Sequence, residues 1–139
     1  MKRASNWPTI FAAFIERKRS EPFAWGSNDC CLFASDWVLD ATGIDPAQSF
    51  RGKYSTALGA ARFLKANGSV RGIIKSVGEP LGMTAVDGAR CQRGDLVIAE
   101  TGSGEGIGIC IGSHAAFVSK DGLRFIPIDF QRAAHCWRI

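Results

Sequence analysis

The change of texture near Arg93 constrains this chain more than any other feature, because helical spacings fill the first part and short apolar runs fill the rest. The first helix is predicted over about residues 8–19, with Pro8 at a tolerated first-turn position and Ile10, Phe11, Phe14 and Ile15 on one face. A second is predicted over about 30–42. Ser27, Asn28 or Asp29 supplies its cap, Gly43 its stop, and Cys30, Phe33, Ala34, Trp37, Val38 and Ala41 its inner stripe. A third follows Ser55 or Thr56, carries Ala57, Ala60, Ala61 and Leu64 on one side and stops at Gly68; a short fourth lies around 70–77. Strands are predicted over 96–100, 107–111, 115–119, 123–128 and 133–139, with Asp121-Gly122 marking a hairpin. Helices first and an antiparallel sheet second give an α+β class, not a doubly wound α/β one.

A chain of 139 residues with 46% apolar and 22% charged residues suits one domain, 1–139, around one core. The net charge of +4 favours an anionic partner, but the densest basic cluster, Glu16-Arg17-Lys18-Arg19, is short and reads as a solvated helix end. No recognition motif accompanies it, so nucleic acid is not expected as a partner. No run approaches the ~20 apolar residues of a membrane span. The basic start, Lys2-Arg3, leads into a brief apolar stretch without a cleavage pattern, so cytoplasmic synthesis without a signal peptide is expected. The five cysteines, Cys30, Cys31, Cys91, Cys110 and Cys136, make an odd count with no C-x-x-C spacing, which suits free thiols. Cys30-Cys31 and His135-Cys136 are immediate neighbours, unlike paired zinc ligands, so neither metal nor cofactor is expected.

Cys30 stands where a thiol is either activated or packed as a small buried hydrophobe. Exposed N–H groups and the dipole at a helix start favour a thiolate, and the same N–H groups can hold a developing oxyanion. Cys31 is turned by ~100° about the helix axis and is expected to pack.

The run Pro22-Phe23-Ala24-Trp25-Gly26, with Asp29-Cys30 and Phe33 after it, resembles the nucleophile segment of NlpC-type cell-wall cysteine peptidases, a papain-like family. Arg93-Gly94-Asp95-Leu96-Val97-Ile98 and then Gly106-Ile107-Gly108-Ile109-Cys110-Ile111-Gly112 are similar to that family's strand pair. The whole chain, to its Cys136-Trp137-Arg138 ending, also looks like a family of short phage and prophage proteins related to those peptidases. The resemblance implies a papain-like fold, Cys30 as nucleophile on amide bonds of peptidoglycan stem peptides, and Trp25, Gly26 and Asp29 around the substrate. It further implies a virion-associated role, with peptidoglycan peptides or phage tail proteins as partners. A catalytically silent member serving as a structural or binding module in tail assembly is the alternative.

Two polar parts of that family's machinery are replaced. The position matching its base histidine is Gly106, and the position matching its aromatic hydroxyl is Phe23. Two histidines remain. His114 falls beyond the far end of the strand that Gly106 opens, ~20 Å or more away at ~3.3 Å per residue. His135 lies in the last strand-like segment and is the candidate base, with Glu105 behind it. Gly102-Ser103-Gly104-Glu105-Gly106 precedes a strand, not a helix, and reads as a flexible hairpin loop instead of a phosphate cradle. Arg93-Gly94-Asp95 leads into a buried-type strand, and Asp36 with Asp40 reads as a solvated helix face.

Overall fold

In a computed structural model describing residues 1–102, 104–131 and 135–139, the chain is α+β, with helices preceding an antiparallel sheet. The helices are α1 (Trp7–Ser20), α2 (Cys30–Thr42), α3 (Ala57–Ala66) and α4 (Val70–Ile73), the last running on into a π-helical turn over Ile74–Gly78. The strands are β1 (Thr84–Val86), β2 (Leu96–Glu100), β3 (Glu105–Cys110), β4 (His114–Ser119), β5 (Gly122–Pro127) and β6 (His135–Arg138). Their order across the sheet is β1-β6-β2-β3-β4-β5. A meander from β2 to β5 is thus extended by β6, which returns to pair with β2, while β1 takes the far edge. The predicted strand over 133–139 is described from His135 onward; its first two residues lie outside the described ones.

Strand alternation sorts the sheet into two apolar faces. Leu96, Ile98, Ile107, Ile109 and Trp137 face the helices, where they meet Phe11, Phe14, Phe33, Trp37 and Val38. Val97, Ala99, Cys110, Phe117 and Cys136 form the opposite face. Phe11 and Phe14 lean on Trp37 with ring centroids 4.6 and 5.6 Å away, and each buried aromatic of this kind contributes ~1.5–3 kcal/mol. Trp37 Nε1–H donates to Gly94 O at 2.8 Å, tying α2 to the entry of β2.

Four local expectations need correction. Lys18 is no solvated helix end: it follows Phe14 by four residues, so it shares the buried stripe, and its side chain is 3% exposed. Its Nζ donates to Glu21 at 2.6 Å and Asp36 at 2.7 Å. Asp36 and Asp40 are accordingly ion-paired to α1, Asp40 through Arg17 at 2.8 Å, instead of facing open solvent. On α3 the inward side is Ala60, Phe63 and Leu64, while Ala57 and Ala61 are exposed; alanine marks no face by itself. The buried stripe of α2 is also wider than predicted, because Ala47, Phe50 and Ile73 cover a second flank made of Cys31 and Leu32.

Candidate functional site

Helix α2 begins at Cys30 because three donors converge on the residue before it. Asp29 accepts from Leu32 N–H at 3.1 Å through Oδ1, and from Gly26 N–H at 2.9 Å and Tyr54 Oη–H at 2.7 Å through Oδ2. The Leu32 bond satisfies one of the N–H groups that a helix start leaves unpaired. Gly26 sits at φ 81°, and a Cβ there would lie 2.1 Å from Tyr54 O. Asp29 is 1% exposed, so its carboxylate is spent on the loop. Asp29 and Gly26, expected beside the substrate, hold the loop before α2 and are not among the residues lining the groove at Cys30. Trp25 lines the groove at Cys30, edge-on to Phe23 with centroids 4.8 Å apart.

The Cys30 sulfur is held below its ordinary pKa. The hydrogen bond from the Cys31 thiol contributes most; burial and the Asp29 carboxylate oppose it, and the backbone N–H groups of Cys31 and Ile107 add to it. Cys31, donating to Cys30 and deeply buried, is pushed well above the usual thiol range. Cys31 therefore packs as expected and also stabilises its neighbour as an anion.

Cys30 opens onto a groove of about 460 Å³ whose walls are Phe23 and Trp25, the start of β3, and the β4–β5 hairpin. Gly106 lies in the same groove, so the start of α2 and the start of β3, far apart in sequence, converge. A Cβ at Gly106 would meet Thr101 Cγ2 at 2.9 Å and the Phe117 ring at 3.6 Å, both parts of that groove. Gly108 differs, since its Cβ would lie 2.5 Å from the backbone oxygen of Ala116. Glu105 brings a carboxylate to the groove and pairs with Arg71 at 2.9 Å. Lys120, Asp121 and Arg124 add charges of both signs along the hairpin.

The candidate base His135 is not brought to Cys30. It pairs with Ile98, which pairs with Ile107, so it stands two strands, roughly 10 Å, from the residue whose N–H meets the Cys30 sulfur. Ile98, fully buried, lies between, and the exposed His135 lines a separate groove with Val86, Asp87 and Phe130. His114 opens β4 opposite Pro127, beside Ile111 and at the end of β3 remote from Gly106. The loop between β2 and β3 is a hairpin whose Gly102 and Gly104 N–H groups donate to the Glu100 carboxylate at 3.2 and 3.0 Å; a bound carboxylate already occupies what a phosphate would need, and Ser103 lies outside the described residues. Among the described residues no three His, Cys, Asp or Glu side chains converge as a metal site requires, and no helix is long and apolar enough to cross a membrane.

Tyr54 and Arg71, the partner of Glu105, were not legible as parts of this region, since each reaches it from a loop or helix far away in the chain. A family model described as a domain of unknown function (DUF6950) matches residues 2–139, and the chain belongs to that family. No curated protein matches the sequence.

Proposed function

We propose that this member of the DUF6950 family is a papain-like, NlpC-type thiol hydrolase that cuts amide bonds of peptidoglycan stem peptides as part of a phage or prophage tail. The observation that carries the reading is the Cys30 sulfur, set at the start of α2, favoured as thiolate and open to a groove with aromatic and charged walls. The thiolate attacks the carbonyl carbon, and the carbonyl π pair moves to oxygen, where N–H groups at the start of α2 stabilise it. Collapse expels the amine and leaves a thioester on Cys30, which water then hydrolyses. Glu105 is the groove carboxylate that takes the thiol proton through water and passes it to the leaving amine, with Arg71 keeping it anchored.

The test is incubation with purified peptidoglycan followed by mass spectrometry of released peptides. Release that disappears in Cys30→Ala is expected; release that survives it overturns the mechanism. A second reading is favoured by one observation, that neither His114 nor His135 reaches Cys30. In that reading the groove binds without cutting, as a module in tail assembly. Cosedimentation with peptidoglycan, or with tail proteins, without any release distinguishes it.

A further inference from the structure

On the sheet face opposite the helices, three more cysteines come together although they are far apart in sequence. Cys110 ends β3 and Cys136 lies in β6, each 1% exposed, and the half-buried Cys91 follows a short 3-10 turn over Gly88–Arg90. All three pack in one apolar cluster with Val97 and Ala99. The Cys91 side chain packs against this cluster beside the thiols of Cys110 and Cys136. The backbone fixes the Cys91–Cys110 relationship most firmly. Gly94 N–H donates to Cys110 O at 2.8 Å and Cys110 N–H to Asp95 O at 2.9 Å, so the segment just after Cys91 is laced to the residue it faces. Arg138 holds the near side of the same loop through Arg90 O at 2.7 Å. Cys136, by contrast, pairs with Val97, and β2 separates it from Cys110.

We propose that Cys91 and Cys110 form a reversible oxidation site that closes to a disulfide on reaction with a hydroperoxide. One sulfur of the pair, as thiolate, attacks one peroxide oxygen, the O–O bond breaks, and the other oxygen leaves as alcohol or water with a proton. That sulfur is then a sulfenic acid. The other sulfur attacks it, the S–O bond breaks, and water departs, leaving the S–S bond. Two thiols have lost two electrons and two protons to one hydroperoxide; a small dithiol reverses the step by exchange. The pair supplies both a thiolate and access. The pKa of Cys110 is lowered to about 7, chiefly by the hydrogen bond from Cys91, with burial and Asp95 opposing and the Arg3 guanidinium assisting, while the half-buried Cys91 is the sulfur open to the oxidant. Cys91 sits outside the sheet and is the partner free to close the sulfur–sulfur gap to the ~2.05 Å of a bond. This site is independent of the proposed chemistry at Cys30.

Trypsin separates every thiol of interest, giving fragments 91–93, 94–120 and 133–138, with Cys30 and Cys31 together in 20–51. The experiment treats the full chain with hydrogen peroxide in molar excess, blocks remaining thiols, digests, and maps linked fragments by mass spectrometry. The expected product joins 91–93 to 94–120 and is lost on treatment with dithiothreitol. It persists in Cys136→Ser and is absent from Cys91→Ser and from Cys110→Ser. Linkage of 91–93 to 133–138 instead, or oxidation confined to 20–51, overturns the proposal. Mapping of the unsubstituted protein decides the matter by itself if a variant does not fold.

Discussion

Tyr54 Oη donates a 2.7 Å hydrogen bond to Asp29 Oδ2 across 25 residues of sequence, so the chain's one tyrosine braces the cap of the helix that presents Cys30. Loss of a hydrogen bond to a charged acceptor costs about 1.5–3 kcal/mol, and Tyr54→Phe is expected to lose that much in urea unfolding. Asp29→Ala, which also removes the Leu32 and Gly26 bonds, is expected to lose more. Equal losses in the two variants would show that Tyr54 acts elsewhere.

The pH dependence of Cys30 alkylation reports the balance around its sulfur. In the unsubstituted protein the midpoint is expected below that of a free cysteine thiol. Cys31→Ala removes the largest stabilising donor and is expected to raise the midpoint. Asp29→Asn removes a carboxylate that disfavours the thiolate and is expected to lower it. Iodoacetamide rates followed against pH, with Cys30→Ala as blank, measure both; shifts of the opposite sign would contradict this account of the sulfur.

Gly106→His returns an imidazole to the groove. The clash it creates is with Thr101 Cγ2, the end of a side chain that can rotate, so folding is expected to survive. If the proposed hydrolysis is correct, peptide release from peptidoglycan should rise by roughly 10²-fold or more, the usual contribution of a general acid–base group. No rise in a folded variant whose Cys30 still alkylates would favour the binding reading.

Lys18→Met keeps the stem and removes the ammonium from Glu21, Asp36 and Asn28. Breaking a buried ion pair costs about 3–5 kcal/mol, less where solvent reaches the partners. Because the Asp36 and Glu21 side chains are 20% and 38% exposed, a loss of about 2–3 kcal/mol in chemical unfolding is expected. A loss below about 0.5 kcal/mol, as on an ordinary surface, would deny Lys18 its place in the core.

The features legible in the sequence are the local ones. Asp29, one of the three cap candidates, and Gly43 bracket α2, because capping and a left-handed stop at φ 79° depend on residues within one helical turn. The hairpin at Asp121-Gly122 and the strand over 96–100 were equally readable, since alternation and turn chemistry are local too. What escaped was set by partners distant in the chain. β1 spans three residues and exists through pairing with β6. Lys18 carries the charge of a surface residue, and its burial is decided by carboxylates on α2 and the loop after α1. Alternation puts His135 and Trp137 on one face of the last strand, but whether that face reaches Cys30 depends on the insertion of β6 next to β2, which no local pattern encodes. Tyr54, likewise, carries no local mark of its bond to Asp29.

The two glycines of β3 answer to different masters. Any side chain at 108 runs into the backbone oxygen of Ala116, whereas one at 106 disturbs a rotatable methyl and the edge of an aromatic ring. The first is demanded by architecture and the second is merely permitted by it. On the proposed function, a lineage carrying this scaffold could gain or lose a cutting activity by exchange at one position, while the sheet, its register and the groove pass unaltered to its descendants.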